Sequence, residues 1–157
     1  MSNINTLISQ EDLLKHWQGH RALTRRLIEA FPERELFDFS IGGMRTFSKL
    51  VYEMLAIAGP GLIAIVDQIE KPYEETADLN TKTKILEKWD QETEVINTYL
   101  MKITTERFSE TFNLFGEYKF PVIHDILYFI DNEIHHRVQG YVYLRAIGIE
   151  PPFFWER

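Results

Sequence analysis

Apolar residues recur at helical spacing in four long segments of this 157-residue chain. In the first segment, Ser9 is a predicted N-cap, the acidic residues that follow it suit a first helical turn, and Pro32 stops the helix. The stripe that we expect to face inward is Leu13, Trp17, Arg21, Thr24, Ile28 and Phe31. The spacing therefore predicts an amphipathic helix between Ser9 and Pro32.

The second and third segments show the same periodicity. The second begins near Arg45, and Pro60 between two glycines predicts a kink or break in it, because proline removes a backbone donor and clashes one turn back. Its inward residues are Phe47, Leu50, Met54, Ile57 and Ala58. The third spans roughly residues 83–103, after a polar loop at 67–81. Its inward residues are Leu86, Trp89, Thr93, Ile96, Leu100 and Ile103. Residues 104–119 are less periodic and hold a predicted short extended piece before Gly116.

The fourth segment carries the clearest start and stop signals. Pro121 suits a first-turn position, and Gly148 with the prolines after it ends the helix. A helix of about 27 residues is roughly 40 Å long. Its predicted core stripe is Ile123, Leu127, Ile130, Ile134, Val138 and Tyr141. Four long helices without a convincing sheet predict an all-α fold. We expect one domain over residues 1–157, an antiparallel four-helix bundle with long connecting loops and a second helix kinked at Pro60.

Composition excludes several classes of function. With 17 basic and 24 acidic residues the net charge is −7, which opposes binding to a phosphate backbone, so no nucleic-acid partner is expected. The absence of cysteine excludes disulfides, cysteine zinc sites and a cysteine nucleophile, and it suits a reducing cytosol. No signal peptide is indicated at residues 1–10, and the uncharged stretch at 54–66 is too short to span a bilayer. We therefore expect a cytoplasmic protein with no membrane partner.

Candidate chemistry lies on the fourth helix. Asn132 and His136 are four residues apart, so one lies a turn above the other. A metal held by such a pair needs a further ligand from a neighbouring helix, and the second helix offers Glu53 at the edge of its apolar stripe. Glu53 is either a solvated residue at the helix edge or such a ligand. Asn132 and His136 share a mixed face of the helix with Phe129, Gly140 and Tyr143.

Three sequence motifs together resemble the DinB/YfiT superfamily. They are Met44-Arg45-Thr46-Phe47 before the second helix, Glu133-Ile134-His135-His136-Arg137-Val138-Gln139 on the fourth, and the run from Tyr143 to Pro152. The resemblance implies a helical bundle that often forms homodimers. It also implies kinship with metal-dependent thiol transferases, such as bacillithiol transferases, and with mycothiol-dependent maleylpyruvate isomerases.

The resemblance also implies where a metal site would lie. Members with a complete site use one histidine on the second helix and two, four residues apart, on the last helix. Those positions match Glu53, Asn132 and His136 here, and Val138 replaces the usual glycine. Glutamate is an ordinary ligand for zinc or nickel, whereas a neutral amide binds transition metals weakly. The implied site for Zn²⁺ or Ni²⁺ is therefore degenerate.

Two functions remain open from the sequence. In the first, a divalent ion on His136 and Glu53 lowers the pKa of a bound thiol or water, and the protein is a thiol transferase or hydrolase acting on a small molecule. Phe129 and Tyr143 are then pocket residues, with Tyr143 orienting the substrate. In the second, the protein is a non-catalytic bundle that has lost its metal and serves as a small-ligand-binding or dimeric interaction protein. The expected partners are a small molecule and a second copy of the chain.

Other constellations give weaker signals. Glu133 and His136 have the carboxylate–histidine spacing of di-iron bundles but lack the second copy that those sites need. His16 and His20 also have ligand spacing, although an exposed polar edge is the commoner outcome. His124-Asp125 is expected to stabilise the start of its helix. The aromatic tail, residues 153–155, is expected to cap the core, in preference to forming a dimer contact or a lid on a pocket.

Overall fold

Helices make up most of the structure, a computed structural model that describes residues 7–75 and 78–157. The expectation that residues 1–10 form no signal peptide rests partly on residues 1–6, which lie outside the described residues. In chain order the elements are α1 (Gln10–Ala30), α2 (Glu33–Asp38), α3 (Phe47–Asp67), α4 (Lys82–Leu100), a 3₁₀ turn (Glu106–Ser109), β1 (Thr111–Leu114), β2 (Tyr118–Pro121) and α5 (Val122–Ala146). The four long helices are therefore found where the periodicity predicts them, and the short α2 is an addition.

The first helix forms as its sequence predicts. The Ser9 side chain accepts a hydrogen bond from the backbone N–H of Asp12 at 3.0 Å, which satisfies one of the free donors at the start of α1. All six residues of its predicted inward stripe are buried. Two of them, Arg21 and Thr24, are polar, and both have partners on other helices.

The four long helices pack around a shared core. Helix α1 packs against α4 and α5, and α3 also packs against α4 and α5. One cluster of buried apolar side chains surrounds Trp17 and Phe129, and another surrounds Phe31, Phe47 and Trp89. The antiparallel four-helix bundle remains a prediction.

Helix α3 continues through Pro60 to Asp67 and does not end at the proline. The helix stops where Gln68 adopts a left-handed conformation, with φ of 56°. The predicted break is therefore absent, while the kink at Pro60 remains a prediction. Among the described residues, α3 is the one helix long and apolar enough to cross a membrane. However, 67% of its most apolar 18-residue stretch is buried inside the protein, as in a core helix.

A small sheet corrects the expectation of an all-α fold. The extended piece predicted before Gly116 is β1, and it pairs antiparallel with β2, so that Phe112 faces Phe120 and Leu114 faces Tyr118. Phe115 and Gly116 turn the chain between the strands with φ of 56° and 74°. The sequence gives no signal for β2, because the strand ends in Pro121 and its residues are mostly exposed, which leaves no alternating burial pattern.

The predicted core stripe of α5 is wrong in its helical phase. Leu127 and Val138 are 44% and 53% exposed, whereas Glu133 and Arg137 are buried. Ile130 of the predicted stripe is buried, but the stripe left out Glu133 and Arg137, which are buried as well. A charged side chain can be buried when other groups satisfy it, and α1 supplies those groups here.

Glu133 is the centre of a polar network between α5 and α1. One carboxylate oxygen, Oε1, accepts a hydrogen bond from the Thr24 hydroxyl at 2.6 Å, and Oε2 accepts one from the Trp17 indole at 3.3 Å. The Arg21 guanidinium lies 3.5 Å from Oε2 and is itself almost fully buried. This network fixes the rotation of α5, and it thereby places Asn132 and His136 toward α3.

The C-terminal aromatic tail does not cap the core as expected. Phe153, Phe154 and Trp155 are all exposed. The rings of Phe153 and Trp155 stack on each other at a centroid distance of 4.8 Å. The tail thus lies against itself on the surface, and the core is closed without it.

Candidate functional site

The three predicted metal ligands meet between α3 and α5. The Oε1 atom of Glu53 accepts a hydrogen bond from Asn132 Nδ2 at 3.0 Å and lies 2.9 Å from His136 Nε2. Asn132 and His136 reach Glu53 together because they are one turn apart on the buried face of α5. The structure therefore brings all three side chains into direct contact.

A fourth residue, Arg45, binds the same carboxylate. Its Nη1 atom lies 2.6 Å from Glu53 Oε2, so both oxygens of Glu53 are occupied by donors. Tyr143 is fully buried and donates its hydroxyl to the Arg45 carbonyl at 2.7 Å. Its place beneath Arg45, away from the cavity described below, suits it to position that residue.

Glu53 is firmly ionised in this setting. Burial by itself would raise its pKa, but hydrogen bonds from His136, Asn132 and Arg45 outweigh burial and lower the pKa to about 2. A carboxylate that accepts several hydrogen bonds holds its negative charge well below neutral pH. At pH 7, Glu53 is therefore an anion already surrounded by donors.

Gln139 holds the other nitrogen of His136. The Gln139 Oε1 atom lies 3.0 Å from His136 Nδ1, an arrangement in which Nδ1–H donates to the amide oxygen. An outer partner of this kind usually fixes the orientation of a metal-bound histidine. Here the inner nitrogen, Nε2, faces the carboxylate of Glu53, so the histidine and glutamate form an ion pair when the imidazole is protonated.

The donor set does not fit a tightly held divalent metal. A catalytic zinc site has three protein ligands, and this one offers one carboxylate, one imidazole and an amide whose NH₂ group points at the carboxylate. A cation would also have to displace the guanidinium of Arg45 from Glu53. Across residues 7–75 and 78–157, no three His, Cys, Asp or Glu side chains gather in a group that could hold a metal ion.

A large cavity opens beside Glu53. Its volume is about 960 Å³, within the usual range of small-molecule sites. Its walls come from α3, the segment at 72–75, the β-hairpin and the first two turns of α5, with Arg45 at one side. The lining residues are Arg45, Glu53, Ile57, Pro72, Tyr73, Glu75, Leu114, Phe115, Glu117, Tyr118, Phe120, His124, Asp125, Tyr128 and Phe129. The predicted pocket residue Phe129 is among them.

Asp125 also lines this cavity, although it was not predicted to belong to the site. It is only 4% exposed, and its carboxyl makes no hydrogen bond to any described residue. Burial raises the pKa of Asp125 to about 7. The signal was its spacing: Asp125, Phe129, Asn132 and His136 follow one another at intervals of four, three and four, so they share one face of α5.

The candidates His16, His20 and Glu133 lie outside this site. His16 and His20 do meet, with their Nε2 atoms 3.2 Å apart, although His20 is buried instead of lying at an exposed edge. Burial, with the charge of Arg137 beside it, lowers the pKa of His20 to about 3, so this ring is neutral. Glu133 belongs to the α1–α5 network and does not contact His136. None of these residues lines the large cavity.

The structure is that of a mostly helical protein with a cavity of about 960 Å³ beside the α3–α5 contact. The chain belongs to the DinB family, whose model matches residues 1–156. A DinB-like protein from Bacillus cereus has a similar fold, with a TM-score of 0.72 and 19% identity over 91% of this chain and 95% of that chain. A DinB-like protein from Bacillus subtilis has a TM-score of 0.72 and 21% identity over 92% of this chain and 99% of that one. No curated protein matches the sequence.

Proposed function

We propose that this protein is a small-ligand-binding member of the DinB family whose pocket works without a tightly held metal. The observation that carries the proposal is the 2.6 Å contact between Arg45 and Glu53. The guanidinium supplies the positive charge that a metal ion would otherwise supply to this carboxylate. The pocket beside it keeps the size and the apolar lining of a ligand site.

Ligand chemistry supports this reading over the metal-dependent one. Zinc–oxygen bonds are about 2.0–2.2 Å long, so a zinc ion on Glu53 would need the space that the donors of Arg45, Asn132 and His136 now occupy. It would also lie next to a permanently charged guanidinium. Both effects weaken metal binding, and a single imidazole does not compensate for them.

The competing function is the metal-dependent thiol transferase or hydrolase that the sequence suggested. The convergence of Glu53 with His136, and the support of His136 by Gln139, are the observations in its favour. The two functions differ in one measurable property. The competing function requires a divalent ion to bind in equimolar amount, whereas the pocket function does not.

Zinc and nickel titration of untagged protein, by calorimetry with elemental analysis, separates them. We expect no equimolar binding to the wild-type protein at micromolar metal. The double variant Arg45→Ala/Asn132→His should bind one equivalent, because it frees Glu53 and places two imidazoles four residues apart. Adding His136→Ala to that double variant is the matched control and should abolish binding. Equimolar, micromolar binding by the wild-type protein would overturn the proposal.

We further propose that the protein is a homodimer and that the exposed side of α5 forms the interface. Leu127, Val138 and Val142 are each about half exposed, and their spacing places them on one side of the helix. Such a row of aliphatic side chains suits a two-fold interface, in which the same surface serves both subunits. Light scattering over a range of protein concentrations measures the association.

A further inference from the structure

The charge of the large cavity is negative. Four carboxylates line it, from Glu53, Glu75, Glu117 and Asp125. Among its described lining residues, Arg45 is the one lysine or arginine, and its charge is directed at Glu53. Three acidic side chains therefore remain without a basic partner inside the cavity. An anionic ligand would be repelled here, and a cationic one attracted.

The walls of the cavity are rich in aromatic rings. Six of its lining residues are aromatic: Tyr73, Phe115, Tyr118, Phe120, Tyr128 and Phe129. Phe129 is buried at the inner end, whereas Tyr118, Phe120 and Tyr128 are about half exposed. Tyr73 and Phe115 meet edge to face at 5.8 Å. The faces of such rings attract cations, and they also contact the apolar body of a ligand.

Asp125 gives the cavity a buried carboxyl group, which is anionic above its raised pKa of about 7. The residue is buried, and its Oδ2 atom is fully shielded and has no hydrogen-bond partner among the described residues. A buried carboxyl without a partner is unfavourable, and such groups are uncommon outside functional sites. A ligand ammonium group against this part of the cavity wall would supply the opposite charge.

We propose that this cavity binds a small organic amine with an apolar or aromatic body, and that Asp125 is the residue that recognises its ammonium group. The inference rests on the proposed function, since a metal ion on Glu53 would remove much of the negative charge. It names the class of ligand: a protonated amine, held by a carboxylate at the inner end and by aromatic rings along its body.

Three indole probes of matched size test the inference, namely tryptamine as the cation, tryptophol as the neutral analogue and indole-3-propionate as the anion. Calorimetry and saturation-transfer NMR, at pH 8.5 and in the presence of EDTA, measure their binding, because Asp125 has lost its proton at that pH. We expect tryptamine to bind about tenfold more tightly than tryptophol, which corresponds to about 1.4 kcal/mol, and indole-3-propionate to bind most weakly. Equal binding of all three, or a preference for the anion, would overturn the inference.

Variants identify the residue responsible. Asp125→Asn keeps the shape of the side chain but removes its charge, so tryptamine should then bind no better than tryptophol. Glu117→Gln, in the exposed hairpin turn, does not threaten folding and should weaken tryptamine binding by a smaller factor. Asp131→Asn is the matched control, because Asp131 is exposed on α5 and does not line the cavity. Unchanged selectivity in Asp125→Asn would refute the role of Asp125.

The outcomes also separate this inference from the function on which it rests. If the probes bind without preference for the amine, the pocket function stands and the inference about charge fails. If no probe binds with or without EDTA, the inference fails too, and the metal-free site is judged by the zinc titration alone. If binding requires zinc, the proposed function itself is wrong.

Discussion

Replacing Asp125 with asparagine should stabilise the protein at neutral and alkaline pH. Burial raises the pKa of this carboxyl from 3.8 to about 7, so the folded state holds its proton more tightly than the unfolded chain does. Between these two values the unfolded chain has lost the proton while the folded protein keeps it. Stability therefore falls as the pH rises through this range, and the loss is complete above pH 7.

The magnitude follows from the size of the shift. At 1.36 kcal/mol per pKa unit, the raised pKa of Asp125 lowers the free energy of unfolding by up to about 4 kcal/mol at pH 8.5. This loss of stability is about 2 kcal/mol at pH 5 and nearly zero by pH 4. Asparagine has a similar shape and does not ionise, so the variant should gain that stability at pH 8.5 and little of it at pH 4.

Urea unfolding of both proteins across this pH range measures the effect. Other ionisable groups line the same cavity from every element around it: Arg45, Glu53, Tyr73, Glu75, Glu117, Tyr118, His124 and Tyr128. They are present in both proteins, so the difference between the two stability curves isolates Asp125. A difference that does not grow with pH, or a variant that is less stable at pH 8.5, would refute the reasoning.

Two further predictions concern the rest of α5. Glu133→Ala leaves the buried Arg21 guanidinium without its anion and should destabilise the fold by about 3–5 kcal/mol in urea unfolding, whereas Glu133→Gln should cost less because the amide oxygen still accepts hydrogen bonds. A loss below about 1 kcal/mol for the alanine variant would contradict the network. Val138→Glu should make the protein monomeric in light scattering without a change in helicity, while Thr98→Glu on the exposed side of α4 should not. A Val138→Glu protein that stays dimeric would exclude this interface.

The sequence predicted the four long helices well because their ends carry strong local signals. Ser9 before α1, and Pro121 and Gly148 around α5, act through backbone chemistry that needs no knowledge of the neighbours. The stripes of α1 and α3 are also correct, because their inward residues are mainly apolar. The absence of a break at Pro60 shows the limit of such rules, since packing of α3 against α4 and α5 keeps the helix continuous.

The sequence suggested Glu53, Asn132 and His136 as residues of one site, but it did not predict how Glu53 is bound. Residue spacing placed Asn132 and His136 one turn apart, whereas Glu53 was suggested by its position at the edge of its helix and by the family resemblance; the three side chains are in contact. Neither signal indicated that Arg45 binds the same carboxylate, because Arg45 precedes α3 and reaches Glu53 across two helical turns. Such a contact depends on the loop between α2 and α3, whose course is set by tertiary packing.

The buried side of α5 was predicted incorrectly for a similar reason. Glu133 and Arg137 look like surface residues until the polar groups of α1 are placed opposite them. The same error concealed Asp125, which was expected to stabilise the helix start and instead lies buried in the cavity wall. Pairing of buried charges across helices is a property of the folded chain and leaves no periodic signal in the sequence.

The ionisation of Glu53, followed by ¹³C NMR of its side-chain carboxyl and assigned with Glu53→Gln, tests the metal-free site most directly. This carboxylate should stay ionised down to about pH 3, since Arg45, Asn132 and His136 lower its pKa to about 2. One equivalent of zinc should leave the resonance unchanged. A resonance that shifts on adding equimolar zinc would show that a metal, and not Arg45, occupies this carboxylate, and the metal-free site would be wrong.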